Sequence, residues 1–175
     1  MKKKPKILIV RSRYNNTLEL YESAYNELDK RKIQNVASTF VNGAFEIPVA
    51  IARNINKFDA FVAIGIIIKG ETPNFNLISQ AITDGIMQLS ILHKKPIGNA
   101  ILTCLNSVQA EERGHKGKEA VEAVLDVLNP DADRKLTKKK VKELKELNDL
   151  IKEDDPEKII KMVRKAKKWA LKAIR

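Results

Sequence analysis

Four short segments carry the residues best able to do chemistry: Ser12-Arg13-Tyr14-Asn15, Asn42-Gly43-Ala44-Phe45-Glu46, Lys69-Gly70-Glu71-Thr72-Pro73-Asn74 and Thr103-Cys104-Leu105-Asn106. Gly70 and Thr72, ahead of a helical pattern, suit a phosphate, because the free backbone N–H groups of a helix start favour an anion, and Lys69 adds charge. Tyr14 and Phe45 offer two aromatic faces to a planar heterocycle. Each of these types is also an ordinary turn or cap residue. The argument therefore rests on their common placement, since all four segments follow a run of strand character.

Those runs and the patterns between them define the scaffold. Lys6-Ile7-Leu8-Ile9-Val10 is apolar and β-branched, and reads as a first strand. Residues 16–31 place Leu18, Leu20, Tyr21, Ala24, Tyr25 and Leu28 at helical spacing. Val36 to Val41 reads as a second strand, and Asn42-Gly43 as a turn into a helix near 45–55 with Pro48 in its first turn. Phe58 to Ile68 is almost continuously apolar, as in a strand buried on both faces of a parallel sheet. A helical pattern follows over 76–92, then a fourth strand at Pro96 to Thr103 and a last helix over 107–128. Four strand–helix units predict an α/β fold: a four-stranded parallel sheet with right-handed crossovers and helices on both faces. In such folds ligands bind beyond the carboxyl ends of the strands, where the four segments lie.

Composition narrows the chemistry. A chain of 175 residues, 43% hydrophobic, holds one domain with a packed core, or one domain and an appendage. The lone Cys104 excludes an internal disulfide framework and a cysteine-based zinc site, and His93 and His115 are too few for a multi-histidine metal site. No apolar run reaches the roughly 18 residues of a membrane span. The start, MKKKPKILIV, is too short in its apolar part for a signal peptide. The expected compartment is cytoplasmic, with no metal and no membrane partner.

The net charge of +11 is unevenly placed. Residues 129–175 hold 16 Lys/Arg against 9 Asp/Glu, net +7, and residues 1–128 carry the remaining +4. Aromatic residues for stacking on bases are nearly absent from the tail, so its lysines read as a solvated helical face and not as a nucleic-acid site. Asn129-Pro130-Asp131-Ala132-Asp133 opens a linker over 129–135. A helical hairpin is expected over 136–175. Val141, Leu144, Leu147 and Ile151 form one apolar stripe, Asp155-Pro156-Glu157 starts the second helix, and Ile159, Met162, Val163, Ala166, Trp169, Ala170 and Ala173 line its face. Regular stripes, strong helix formers and the absence of glycine are features that design rules prescribe, so the extension is expected to be engineered.

Taken in order, Arg13-Tyr14-Asn15, Gly43-Ala44-Phe45-Glu46-Ile47-Pro48 and Ala63-Ile64-Gly65-Ile66-Ile67-Ile68-Lys69-Gly70-Glu71-Thr72 resemble the lumazine synthase family. Pro96-Ile97 through Leu102-Thr103-Cys104, Gln109-Ala110-Glu111-Glu112-Arg113 and Lys116-Gly117 extend the resemblance over about residues 5–128. It implies condensation of 5-amino-6-ribitylaminouracil with 3,4-dihydroxy-2-butanone 4-phosphate to 6,7-dimethyl-8-ribityllumazine, without metal or organic cofactor. Carried over by position, Tyr14 would stack on the pyrimidine. Asn15, Gly43, Ala44, Phe45 and Glu46 would line the ring and ribityl chain, with Glu46 accepting from hydroxyls. Gly70, Glu71 and Thr72 would hold the phosphate, helped by Arg113 of a neighbouring subunit and, on a looser match, by Lys116. The resemblance also implies a homopentamer, with a 60-subunit shell or another assembly open.

The chain departs from the family pattern at three points. Asn74 stands where the family has a histidine thought to shuttle protons, and an amide has no pKa near neutrality. Asn99-Ala100 replaces a bulky apolar residue and Gly that face the ring from the adjacent subunit, and Asn42 replaces a proline. The expectation is a self-assembling scaffold with reduced or lost condensation activity. The alternative is an active lumazine synthase of riboflavin biosynthesis.

Overall fold

In the computed structural model of the chain, residues 4–129 are described, together with Val141, Lys142 and Lys145. The elements run β1 (Ile7–Ser12), α1 (Leu18–Lys30), β2 (Val36–Val41), a 3₁₀ turn (Ala44–Glu46) continuing into α2 (Ile47–Asn54), β3 (Ala60–Ile68), α3 (Asn74–His93), β4 (Ile97–Cys104), α4 (Ser107–Glu111) and α5 (Lys116–Leu128). All four strands are parallel, in the order β2-β1-β3-β4. The α/β fold expected from the sequence is therefore the fold of this unit.

The period-2 alternation of the strands sorts the core into two layers. On one face Ile7, Ile9, Val62, Ile64 and Leu102 pack with Leu20 and Ala24 of α1, Ala110 of α4 and Val121 and Val124 of α5. On the other, Leu8, Val10, Phe61 and Ala63 pack with Ile47 and Ile51 of α2 and Ile82 and Ile86 of α3. β1 and β3 occupy the middle of the sheet and are covered on both sides, which is why their sequences are apolar almost without interruption. Each fully buried Ile or Phe here contributes about 1.5–3 kcal/mol of transfer free energy.

Two glycines let helices lie close to their neighbours. A Cβ on Gly98 of β4 would strike the Ala120 carbonyl of α5, and one on Gly117 of α5 would strike the Leu20 carbonyl of α1. One correction concerns the single helix expected over 107–128. The structure breaks it at Glu112–His115, where the chain turns between α4 and α5. Asn106 caps α4 by accepting from the Gln109 amide, and the Ser23 hydroxyl donates to the Gly114 carbonyl at 2.6 Å, pinning the turn on α1. Residues 111–119 carry no apolar side chain and include Gly114 and Gly117, so the apolar periodicity lapses at the turn. At the other boundary, α3 begins at Asn74, two residues before the pattern predicts, and ends where Lys94 adopts a left-handed conformation with φ 53°.

Residues 1–128 form one compact unit, and the chain from Asn129 a second. The linker expected over 129–135 and the hairpin over 136–175 lie, but for Asn129, Val141, Lys142 and Lys145, outside the described residues. Val141, Lys142 and Lys145 are helical and exposed. Among the described residues no helix is long and apolar enough to cross a membrane.

Candidate active site

The four segments singled out in the sequence lie at the carboxyl ends of β1, β2, β3 and β4, in the sheet order β2-β1-β3-β4, and the Lys69 amide of the third donates to the Cys104 carbonyl of the fourth at 2.8 Å. After Ser12 the chain bends through Arg13, Tyr14 and Asn15. The Arg13 amide donates to the Val41 carbonyl at 3.0 Å, and the Tyr14 amide to the Asn42 carbonyl at 3.0 Å, so this bend is tied to the end of β2. Asn15 ties it to the other neighbour, its Nδ2 donating to the Ile66 carbonyl of β3 at 2.8 Å. Thr17, buried, donates from its hydroxyl to the Ser12 carbonyl and closes the loop beneath. Tyr14 itself is 83% exposed, its ring free to meet a flat partner.

The second segment is a self-capped turn. Glu46 Oε2 accepts from the Gly43 amide at 2.8 Å, and the 3₁₀ turn between them runs directly into α2. The fit at Gly43 is close, since a Cβ there would lie 3.0 Å from Glu46 Oε2. Ala44 is buried under the turn, while Phe45 and Glu46 face solvent. The turn is seated on β3 at Gly65, where an added Cβ would come within 3.2 Å of the Ala44 Cβ, 3.3 Å of Ile47 Cδ1 and 3.4 Å of Ser12 Oγ. Ser12 Oγ is itself buried with no hydrogen-bond partner among the described residues. One carboxylate oxygen of Glu46 thus serves the fold, and the carboxylate keeps acceptor capacity for a ligand hydroxyl. Tyr14 and Phe45 make no ring contact with each other, and both rings are exposed.

The third segment is open. Lys69 to Pro73 are all exposed, and a Cβ on Gly70 would meet nothing within 4 Å. Pro73 occupies the cap position of α3, and no side chain caps that helix. Thr72 therefore does not act as a cap. The unsatisfied amides and the positive end of a 20-residue helix favour an anion here. Asn74 is the first residue of α3 and is exposed.

The remaining predicted residues lie on β4 and on the turn and helix that follow α4. Asn99 lies in the middle of the edge strand β4, paired in register with Ala63, and its Oδ1 accepts from the Ile101 amide at 2.9 Å. It is five residues short of Cys104, about 16 Å along the strand from its carboxyl end. Arg113, in the turn after α4, donates from Nη1 to the Gln109 carbonyl at 2.6 Å and lies 3.6 Å from Glu112 Oε2. Lys116 opens α5 and pairs with Glu119 at 2.6 Å, and this bond holds the Glu119 carboxyl below its usual pKa. α4 and α5 pack on the face of the sheet opposite α2 and α3, so Arg113 and Lys116 belong to the other layer from Asn74.

A small cavity of about 110 Å³ lies on that same layer, beside Asn15, Glu19, Ile66, Ser107 and Gly114. Nearby, Cys104 ends β4 with its thiol buried. Burial pushes its pKa up, and the charge of Arg113 opposes the shift. Among the described residues no three of His, Cys, Asp and Glu come together to hold a metal ion. Sequence reasoning missed the Gly43–Glu46 box, although Gly-x-x-Glu ahead of an apolar run is a readable capping pattern. It also missed Ser12 and Gly65 as the floor under Ala44, which becomes visible only once strand register is known.

Comparison with known proteins adds the following. A family model described as 6,7-dimethyl-8-ribityllumazine synthase matches residues 4–131. A 6,7-dimethyl-8-ribityllumazine synthase of Cutibacterium acnes is 36% identical over 132 residues, covering 70% of this chain and 80% of the relative. One from Campylobacter jejuni subsp. jejuni serotype O:23/36 is 36% identical over 135 residues, covering 71% and 88%. One from Protochlamydia amoebophila is 37% identical over 138 residues, covering 72% and 80%.

Proposed function

Because this chain belongs to the 6,7-dimethyl-8-ribityllumazine synthase family, we propose that the loops ending β1, β2 and β3 bind 5-amino-6-ribitylaminouracil and 3,4-dihydroxy-2-butanone 4-phosphate and condense them slowly, as a step of riboflavin biosynthesis. The observation that carries this reading is the tethering of Tyr14 and Asn15 between the Asn42 and Ile66 carbonyls, beside the uncapped start of α3. That arrangement offers an aromatic face for the pyrimidine, acceptors for the ribityl hydroxyls at Glu46 and an anion site at Gly70, Glu71 and Thr72. The two reactants are held within reach of each other, and positioning alone lowers a bimolecular barrier. The missing element is a proton carrier. Asn74 donates and accepts hydrogen bonds but does not titrate, and loss of a general acid–base group costs about 10²- to 10⁴-fold in rate.

Arg113, Lys116 and Asn99 enter this reading from a neighbouring subunit. Asn99, about 16 Å along β4 from the strand ends that carry the loops, supports an oligomer, with a pentamer as the working unit. A second reading makes the assembly itself the function, as a scaffold whose pocket is retired, and Asn74 is the observation that favours it. Product formation from the two substrates, followed against the uncatalysed background with Asn74→His in parallel, separates the two. The expected result is a parent rate above background and a variant about 100-fold faster. Background rates in both proteins would overturn the condensation reading in favour of the scaffold.

A further inference from the structure

β1 and β2 are paired so that Arg11 faces Phe40 and Ser12 faces Val41. Just beyond these pairs the two chains leave the sheet as the loops that carry Tyr14 and Gly43. Phe40, on the edge strand and 46% exposed, is not a core residue, yet two cations converge on it. The Arg11 guanidinium carbon lies 4.9 Å from the ring centroid and that of Arg13 lies 4.7 Å from it. Arg11 also stands 4.6 Å from the Tyr21 ring, which stacks on Tyr25, and its Nε donates to Thr17 Oγ1 at 3.3 Å. Among the described residues neither guanidinium is paired with a carboxylate. The ring faces are therefore their principal partners.

We propose that Arg13 and Phe40 are positioning residues for the pyrimidine site, acting through Tyr14. Tyr14 is almost fully exposed, so no packing of its own fixes where its ring begins. Its placement follows from its own backbone bond to the Asn42 carbonyl and from the residue before it, whose backbone bonds β2 at Val41 and whose side chain grips Phe40. Arg11 supports the same ring from the α1 side and, through Thr17, the carbonyl of Ser12. The clamp holds the loop of Tyr14 and Asn15 in register with the turn at Gly43 before any ligand arrives, which reduces the ordering cost of binding. It has no counterpart on the phosphate loop, which leaves the sheet from β3. Loss of the clamp therefore weakens the aromatic substrate selectively.

This inference rests on the condensation reading, and two readouts keep their failures apart. Arg13→Gln and Phe40→Leu are expected to raise KM for 5-amino-6-ribitylaminouracil by about threefold to fivefold, with kcat and the KM for the butanone phosphate unchanged. Phe40→Tyr, which keeps the ring, is expected to restore the parent value. Independently of turnover, hydrogen exchange of the Arg13 and Tyr14 amides is expected to quicken several-fold in the first two variants and to return in the third. Unchanged exchange, or equal effects on both KM values and kcat, would overturn the clamp. A parent chain without any turnover would sink the condensation reading, and the exchange rates would then decide the clamp alone.

Discussion

The Glu46 carboxylate and the Gly43 amide, 2.8 Å apart, bind the turn that presents them both. The residue expected to meet the ribityl chain is thus also a structural cap, and the two roles separate by substitution. Glu46→Gln keeps an acceptor at the third position of the box, so stability is expected to change by less than about 0.5 kcal/mol, whereas Glu46→Ala loses about 1 kcal/mol. Urea unfolding of the two variants measures this. A loss of condensation in Glu46→Gln at unchanged stability would isolate the ligand role.

Gly70 and Gly98 make a second contrast. A Cβ on Gly98 collides with the Ala120 carbonyl, a backbone atom that cannot move aside, so Gly98→Ala is expected to cost 2 kcal/mol or more, about the scale of severe overpacking. A Cβ on Gly70 meets nothing, and Gly70→Ala is expected to leave the unfolding midpoint unchanged while raising KM for the butanone phosphate. Equal destabilisation by both would contradict this assignment.

Ser12 supplies a test of the floor beneath Ala44. Its hydroxyl is buried without a partner, and an unsatisfied polar group is costly to bury, by about 1–3 kcal/mol. Ser12→Ala is therefore expected to be neutral or to stabilise the fold by up to about 1 kcal/mol, read from thermal or urea unfolding. A clear destabilisation would mean that the hydroxyl has a partner in solution.

Restoring a titratable group at position 74 should leave a signature in pH. The rate of Asn74→His relative to the parent is expected to grow as pH rises through about 6.5, where imidazole becomes a proton acceptor. The parent, with an amide there, has no such inflection from this residue. A flat ratio between pH 5.5 and 8 would show that the introduced histidine takes no part in proton transfer.

Cys104 gives a prediction from burial. Its thiol pKa is raised in the fold, chiefly by desolvation, so the thiol stays protonated at pH 7.5 and alkylation by iodoacetamide is expected to be much slower than after unfolding. For a pKa raised on folding, the associated stability is complete below the unfolded value near 8.5 and declines as pH rises through the folded one. The parent should therefore lose more stability between pH 7.5 and 9.5 than Cys104→Ala, compared by urea midpoints.

Much of the scaffold could be read from one-dimensional pattern. The unbroken apolar run of β3 signals burial on both faces, and the positions of Tyr14, Gly43 and Gly70 after successive strands place them at one edge of the sheet. The break at Glu112–His115 lies where residues 111–119 hold no apolar side chain but two glycines, a readable signal, whereas the Ser23 contact that pins it, some 90 residues away in the chain, was hidden. The gathering of Arg11, Arg13 and Phe40 was equally hidden. It depends on which residue of β2 lies opposite which residue of β1, and a shift of one position would send those side chains to opposite faces.

The division of predicted residues between the two layers has a consequence for mixtures. In the proposed oligomer, with Asn74 at a helix start on one face of the sheet and Arg113 in the turn between two helices of the other, the site draws its halves from different copies. A variant crippled at Tyr14 and another crippled at Arg113 would each be inactive alone. Co-assembled, they are expected to regain a fraction of the parent rate, because some junctions of the proposed oligomer join two undamaged halves: intersubunit complementation.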